Sequence, residues 1–108
     1  MKRIESADNP HFRALLKLAQ SSRERRKAGL SLLDGVHLVA AYKEHCGLPE
    51  AVAVSDSALA DAEIRRLIDS LAPLLPMVLP NRLFAMLSTV TTPTGIVASI
   101  KTPRAPAM

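Results

Sequence analysis

The chain has 108 residues, of which 48% are hydrophobic and 22% charged, and its formal net charge is +4. This length suits one domain with a core of its own and is too short for two. No apolar run approaches the roughly 20 residues of a membrane span, and the basic amino terminus lacks the apolar segment of a secretion signal, so we expect a cytoplasmic protein without a membrane partner.

The positive charge is concentrated at the amino end of the chain. Residues 1–27 contain eight Lys or Arg and three Asp or Glu, a net of +5. Residues 28–108 contain six basic and seven acidic residues, a net of −1. Because the excess is local rather than spread over the chain, it favours a polyanionic partner such as a nucleic acid.

The first predicted element is a helix over 11–20. Asn9 is a good capping residue, and Pro10 suits the first helical position because its missing N–H costs nothing there. Apolar residues recur at helical spacing along one face of this helix, whereas Arg13 and Lys17 fall on another face. The helix should therefore be buried on one side and basic on the other.

A basic run and a strand follow this helix. Ser21–Ser22 interrupts the helical pattern, and we predict that the basic run Arg23–Lys27 forms a loop or a short turn that Gly29 closes. The apolar segment Leu30–Asp34 is predicted to be a short buried core strand.

The rest of the chain alternates between helices and strands. In chain order we predict a helix over 36–46, a strand over 51–54, a helix over 57–72, a strand over 77–79, a helix over 82–87 capped by Asn81, a turn over 89–94 and a strand over 95–100. The lone cysteine, Cys46, excludes an intrachain disulfide, and we expect it to be a small buried residue at a helix end.

This alternation predicts the fold class and the domain organisation. Strands that alternate with helices indicate an α/β protein, here a small three-layer α/β/α sandwich around a mostly parallel sheet of about four strands. We assign residues 1–100 to this domain. The proline-containing stretch 101–108 is predicted to be the start of a linker to a further domain.

The first candidate site is the set of basic residues on the first helix and in the run that follows it. Lys and Arg side chains that neutralise phosphates release counterions, which gives strong, salt-sensitive affinity without sequence information. A solvated charge run without a partner is the alternative. The candidate residues are Arg13, Lys17, Arg23, Arg25, Arg26 and Lys27.

The second candidate site is the turn between the strand Leu30–Asp34 and the next helix. In open α/β sheets, ligands bind at the carboxyl ends of strands. Asp34, Gly35 and His37 occupy such a place, and Gly35 permits close backbone approach. The alternative is a plain connection in which Asp34 caps the helix.

The residues themselves indicate neither catalytic machinery nor a metal site. The three histidines have no matching Cys or carboxylate spacing, and no glycine-rich phosphate loop or nucleophile motif occurs. Aromatic residues make up 3% of the chain, too few for a base-stacking platform. If the polyanionic partner is RNA, its recognition should therefore depend on backbone and shape.

Four segments, in order and spacing, resemble a known family: Ile4-x-Ser6-x-x-Asn9-Pro10, Arg23-x-Arg25, Gly29-x-x-Leu-Leu-Asp34-Gly35-x-His37-x-Val39 and Leu87-Ser-x-x-Thr-Thr-Pro93-x-Gly95-Ile-Val-Ala98. Together they resemble the amino-terminal RNA substrate-binding domain of the SpoU/TrmH-type RNA ribose 2′-O-methyltransferases. The chain departs from that pattern at Asp34 and Thr94, where the family more often has Glu and Gln.

The resemblance implies a fold similar to the kink-turn-binding ribosomal proteins and a role in holding rRNA or tRNA for a carboxyl-terminal catalytic domain. That domain, absent from this chain, would bind S-adenosylmethionine and form a homodimer. By resemblance, the RNA-binding positions are Asn9, Arg23, Arg25, Asp34, Gly35 and His37, with the turn Thr92-Pro93-x-Gly95.

Two other functions stay open. One is a stand-alone RNA-binding protein of the ribosomal type. The other is a protein-interaction domain that packs against a catalytic partner or a second copy of itself. On either reading, as on the family reading, this chain alone is not an active enzyme.

Overall fold

The computed structural model describes residues 2–87 and 95–102, and it confirms the α/β class. In chain order its elements are β1 (Lys2–Arg3), α1 (Pro10–Gln20), α2 (Ser22–Ala28), β2 (Leu30–Asp34), α3 (Val36–Cys46), β3 (Ala51–Ser55), a 3-10 helix (Ser57–Ala60), α4 (Ala62–Ser70), β4 (Met77–Leu79), α5 (Asn81–Leu87) and β5 (Ile96–Lys101).

The strands form one mixed sheet in the order β1-β4-β3-β5-β2. Strands β1, β4 and β3 pair in parallel, while β5 is antiparallel to both β3 and β2. Four strands therefore point in one direction and β5 points in the other, so the mostly parallel sheet that we predicted is confirmed. The sheet has five strands rather than about four because the two-residue β1 adds to β4, with Lys2 N donating to Pro76 O at 3.0 Å.

The sheet has two ends that matter for function. The carboxyl ends of β1 to β4 and the start of β5 meet at one end, which we call the carboxyl edge. The start of β2 and the end of β5 meet at the opposite end, which we call the amino edge. Helix α1 begins after β1 and so runs back from the carboxyl edge towards the amino edge.

Two apolar clusters cover the two faces of the sheet and produce the predicted three layers. On one face, α1 and α5 bury Phe12, Leu83 and Phe84 against β3, β4 and β5. On the other face, α3 and α4 bury Val39 and Ile64 against the same strands. Full burial of one such side chain stabilises the fold by about 1.5–3 kcal/mol.

The strand and helix around the basic run differ from the prediction in two ways. Strand β2 has the predicted bounds, but it is an edge strand whose five residues are all half-buried. The prediction that this strand is buried in the core is therefore wrong. The run Arg23–Lys27 lies within α2 and is helical rather than a loop. Ser21 Oγ accepts a hydrogen bond from Glu24 N at 3.2 Å and begins this helix, and Gly29 ends it with a φ of 69°.

The predicted helix over 57–72 is two helices. Asp61 adopts an extended conformation, with φ −82° and ψ 120°, which separates the 3-10 helix from α4. Its carboxylate accepts hydrogen bonds from Glu63 N at 2.8 Å and Ile64 N at 3.3 Å. Asp61 is thus an N-cap, and capping favours a break in the helical pattern at this point.

Three further predictions concern Cys46, the turn over 89–94 and the stretch 101–108. Cys46 is exposed, so our expectation of a buried cysteine is wrong. The predicted turn over 89–94 lies outside the described residues, except that Gly95 after it is described. Of the stretch 101–108, Lys101 belongs to β5, and residues 103–108 lie outside the described residues.

Asn9 caps α1 as predicted, and this predicts a loss of stability when its side chain is removed. Asn9 Oδ1 accepts hydrogen bonds from His11 N at 2.9 Å and Phe12 N at 3.4 Å. We expect Asn9→Ala to lower the free energy of unfolding by about 1 kcal/mol, measured by chemical denaturation. Asn9→Asp keeps a capping oxygen and should retain most of the stability, and equal loss in both variants would contradict the capping role.

Candidate nucleic-acid interface

Helix α1 presents a basic outer face. Its apolar residues pack on the sheet, whereas Arg13 and Lys17 are exposed. The two side chains are four residues apart and therefore lie on the same side of the helix, one turn from each other. Because α1 runs towards the amino edge, Lys17 lies nearer to α2 than Arg13 does.

Helix α2 continues this basic face at the amino edge. None of its residues is buried, and Arg23, Arg26 and Lys27 are exposed. A seven-residue helix with no buried side chain gains little from packing of its own, so its caps at Ser21 and Gly29 and its contact with α1 hold it in place.

Arg25 differs from its basic neighbours. Its Nη1 donates a hydrogen bond to Leu18 O at 2.6 Å, and the side chain is half-buried. Leu18 O is one of the last four carbonyls of α1, which lack a partner inside their own helix. Arg25 therefore satisfies the end of α1 and joins α2 to it, a structural role that we did not predict from the sequence.

This contact predicts that Arg25 contributes more to the stability of the fold than the adjacent Arg26 does. We expect Arg25→Ala to lower the free energy of unfolding by about 1–2 kcal/mol, because a hydrogen bond from a charged group to a half-buried carbonyl is lost. Arg26→Ala should change it by less than about 0.5 kcal/mol. Urea denaturation of the two variants measures this difference, and equal stabilities would contradict the structural role of Arg25.

Five cations form a surface that has no hydrogen-bond or ion-pair partner within the described residues. By contrast, Arg3 pairs with Asp56 at 3.1 Å, Lys101 with Glu50 at 3.9 Å, and Arg82 Nη2 donates to Glu5 O at 3.1 Å. Cations without internal partners are available to phosphates. We call this set the basic surface, and its members are Arg13, Lys17, Arg23, Arg26 and Lys27.

The second candidate site lies at the carboxyl edge. Asp34 ends β2, Gly35 is the N-cap of α3 with φ 120° and ψ 148°, and His37 is exposed in the first turn of α3. Gly35 N donates to Ile96 O at 3.0 Å, which holds the turn against β5. Gly35 occupies the N-cap position of α3, so the alternative in which Asp34 is the cap residue is wrong.

The structure separates the two candidate sites that lie close together in the sequence. Strand β2 stands between α2 and the turn at Gly35, and five residues at about 3.3 Å each span roughly 16 Å. Asn9, at the start of α1, belongs with the carboxyl edge. The α2 part of the basic surface and the Asp34-Gly35 turn therefore lie at opposite ends of the sheet.

A cavity at the carboxyl edge is lined by residues that we did not predict as site residues, except for Gly95, which belongs to the turn that the family resemblance indicated. Its volume is about 260 Å³, and its lining includes Ser55, Ser57, Asn81 and Gly95. Asn81 Oδ1 accepts hydrogen bonds from Ser57 N at 3.3 Å and Ser57 Oγ at 3.1 Å. Asn81 thus links the start of α5 to the start of the 3-10 helix instead of capping α5 as predicted. The signal in the sequence was a polar residue close after each of two predicted strands. Ser55 directly follows the strand over 51–54, and Asn81 follows the strand over 77–79 with one proline between.

Two classes of feature are absent from the described part of the chain. It contains no group of three His, Cys, Asp or Glu side chains that could hold a metal ion. Within residues 2–87 and 95–102, no helix combines the length and apolar character that crossing a membrane requires.

Three solved structures have a fold similar to that of this chain. An rRNA methyltransferase from Sinorhizobium meliloti matches 97% of this chain with a TM-score of 0.76 and 13% identity. An RNA 2′-O ribose methyltransferase matches 98% with a TM-score of 0.74 and 22% identity. The SpoU methyltransferase AviRb from Streptomyces viridochromogenes matches 88% with a TM-score of 0.69 and 19% identity. The chain has the fold of a SpoU-type methyltransferase domain.

The structural match covers nearly all of this chain but less than half of each of the three methyltransferase structures. The chain spans 38%, 40% and 34% of the length of these three structures. The SpoU-type fold that the sequence motifs predicted is thereby confirmed. No protein-family model and no curated protein matches the sequence.

Proposed function

We propose that this chain is the RNA-binding domain of an S-adenosylmethionine-dependent RNA ribose 2′-O-methyltransferase. In this role it holds rRNA or tRNA for a catalytic domain that lies outside the chain. The observation that carries the proposal is the basic surface, five cations without internal partners, on a fold shared with structures described as RNA methyltransferases.

The charge and geometry of the basic surface suit the phosphate backbone of RNA. Its residues come from the exposed sides of α1 and α2, two helices that contact each other. A folded RNA presents phosphates along a continuous path, and each phosphate that a Lys or Arg neutralises releases counterions. Holding a substrate in position for a separate catalytic group contributes to the rate without any contact with the reacting atoms.

The methyl donor is assigned to the absent domain. AviRb is described in complex with AdoMet, and so is the Sinorhizobium meliloti enzyme. Nucleoside sites in α/β folds combine a glycine-rich turn with a carboxylate for the ribose hydroxyls. Within residues 2–87 and 95–102, the cavity beside Gly95 has no carboxylate in its lining, and the groove beside Glu63 has no glycine. Neither of these sites fits the cofactor.

Two measurements test the proposal. The first is a fluorescence anisotropy titration of the chain with an RNA hairpin at several salt concentrations, where we expect binding that weakens steeply with salt. The second is to read the codons that follow position 108 in the parental gene. About 150 codons for a methyl-donor-binding domain of ordinary size are expected.

The other two functions predict different results in these measurements. A stop codon directly after position 108, with salt-dependent RNA binding retained, would favour the stand-alone RNA-binding protein. Tight self-association without salt-dependent RNA binding would favour the protein-interaction domain, in which the dimer or a catalytic partner covers this surface.

A further inference from the structure

A groove opens at the amino edge between α2, the start of β2 and the end of β5. Its volume is about 370 Å³, within the range of pockets that hold small ligands. A hollow of about 350 Å³ adjoins it and shares Arg25 and Ser31. We call the two together the amino-edge groove. Its lining includes Arg25, Arg26, Ser31 and Thr102.

The groove has the electrostatics of an anion site. Among the residues that the structure describes, its lining contains two arginines and no carboxylate. Arg26 is exposed and has no partner among the described residues. Arg25 uses one N–H for Leu18 O, and a guanidinium has five such donors, so it retains others. Two cations and no opposing charge favour a phosphate in this place.

Two further residues of the same lining, Ser31 and Thr102, carry hydroxyl groups. Ser31 Oγ and Thr102 Oγ1 lie 2.7 Å apart and form a hydrogen bond with each other. That bond uses one of their two hydroxyl hydrogens. The remaining hydrogen and the oxygen lone pairs can both donate to and accept from a third group. The ribose 2′-hydroxyl is such a group, and it is the group that distinguishes RNA from DNA.

Backbone N–H groups of β2 are further hydrogen-bond donors at this groove. Thr102 N donates to Gly29 O at 2.9 Å, and Gly35 N donates to Ile96 O at 3.0 Å. In an antiparallel ladder the bonded positions alternate, so the N–H groups of Leu30 and Leu32 point away from β5. Because β2 is an edge strand, these donors face the open side of the sheet.

We propose that the amino-edge groove is a ribonucleotide subsite. Arg26 binds a phosphate of the RNA backbone, and the Ser31–Thr102 hydroxyl pair binds the 2′-hydroxyl of an adjoining ribose. This inference rests on the proposed RNA-binding function and goes beyond it, because a basic surface alone does not distinguish RNA from DNA. The groove therefore gives the domain a preference for RNA.

The test compares two probes, an RNA hairpin with a stem of about ten base pairs and the DNA hairpin of the same sequence. Anisotropy titrations with the full 108-residue chain give the affinity for each. We expect the double variant Ser31→Ala with Thr102→Val to weaken RNA binding about fivefold and to leave DNA binding unchanged. Arg26→Ala should weaken both by a similar factor, since it removes a phosphate contact.

Matched variants separate the subsite from general effects. Thr102→Ser keeps the hydroxyl and should keep the preference for RNA. Arg65→Ala removes an exposed cation from α4, on the other face of the sheet, and should change neither affinity. Unfolding midpoints of all variants show whether each one is folded under the conditions of the titration.

The possible failures are distinguishable. If the double variant leaves RNA binding unchanged, or weakens RNA and DNA binding equally, the ribonucleotide subsite is wrong. The same conclusion follows if the unaltered chain binds both hairpins alike, and the proposed RNA-binding function then still stands. If the unaltered chain binds no RNA at any salt concentration, both the subsite and the proposed function are wrong.

Discussion

Replacing Arg23, Arg26 and Lys27 together with alanine is expected to weaken RNA binding by about 10- to 100-fold near 0.1 M salt. The physical reason is the loss of three phosphate contacts and of the counterions that they release. The slope of log affinity against log salt should fall by about one unit for each charge removed, about three in total. Anisotropy titrations at several salt concentrations measure both quantities.

Arg25 is left intact in this variant because its guanidinium holds the end of α1. The control variant replaces Lys43, Arg65 and Arg66, which removes the same charge from α3 and α4 on the other face of the sheet. A purely nonspecific attraction by net charge would weaken RNA binding equally in both variants. Such equality would contradict the assignment of RNA binding to the basic surface.

Gly95→Ala is expected to destabilise the chain by about 3 kcal/mol or more. Gly95 has a φ of 98°, which an L residue adopts only under strain. An added Cβ would lie 2.6 Å from Ala58 Cβ and 3.3 Å from Ser55 Oγ. Ala58 is a buried residue whose methyl group cannot turn aside, so the backbone must move, and overpacking of this kind adds to the strain.

Gly29→Ala is the matched control for this prediction. Gly29 also has a positive φ, 69°, but no atom lies within 4 Å of its added Cβ. The cost should be the conformational strain alone, about 1–2 kcal/mol. Chemical denaturation of both variants gives the two free energies of unfolding. Equal values would mean that the close contact at Gly95 is relieved without cost.

The local elements of this protein follow from short stretches of sequence. Asn9 and Pro10 begin α1 where a capping residue and a first-position proline predict a helix, and Gly29 ends α2. The bounds of β2 and of α3 agree with the prediction. In each case, a side chain bonds its own backbone within a few residues, or apolar spacing selects the local conformation.

The local sequence does not predict which distant residue a side chain will bind. Arg25 and Arg26 are adjacent and of the same type, yet one binds Leu18 O and the other has no partner in the described chain. Asn81 has the residue type of a cap but binds Ser57, 24 residues earlier. The packing of α1 on α2, and of α5 beside the 3-10 helix, decides these contacts.

The sequence by itself determined the α/β class, the resemblance to SpoU-type methyltransferases and the basic character of the amino end, because composition, periodicity and motif spacing are local properties. The tertiary structure decided where these features lie relative to one another. Strand order placed β2 at an edge of the sheet. It also brought Ser31 and Thr102, 71 residues apart, within 2.7 Å. Strand pairing is a long-range choice, made by the burial of both sheet faces together, and no short stretch of this chain encodes it.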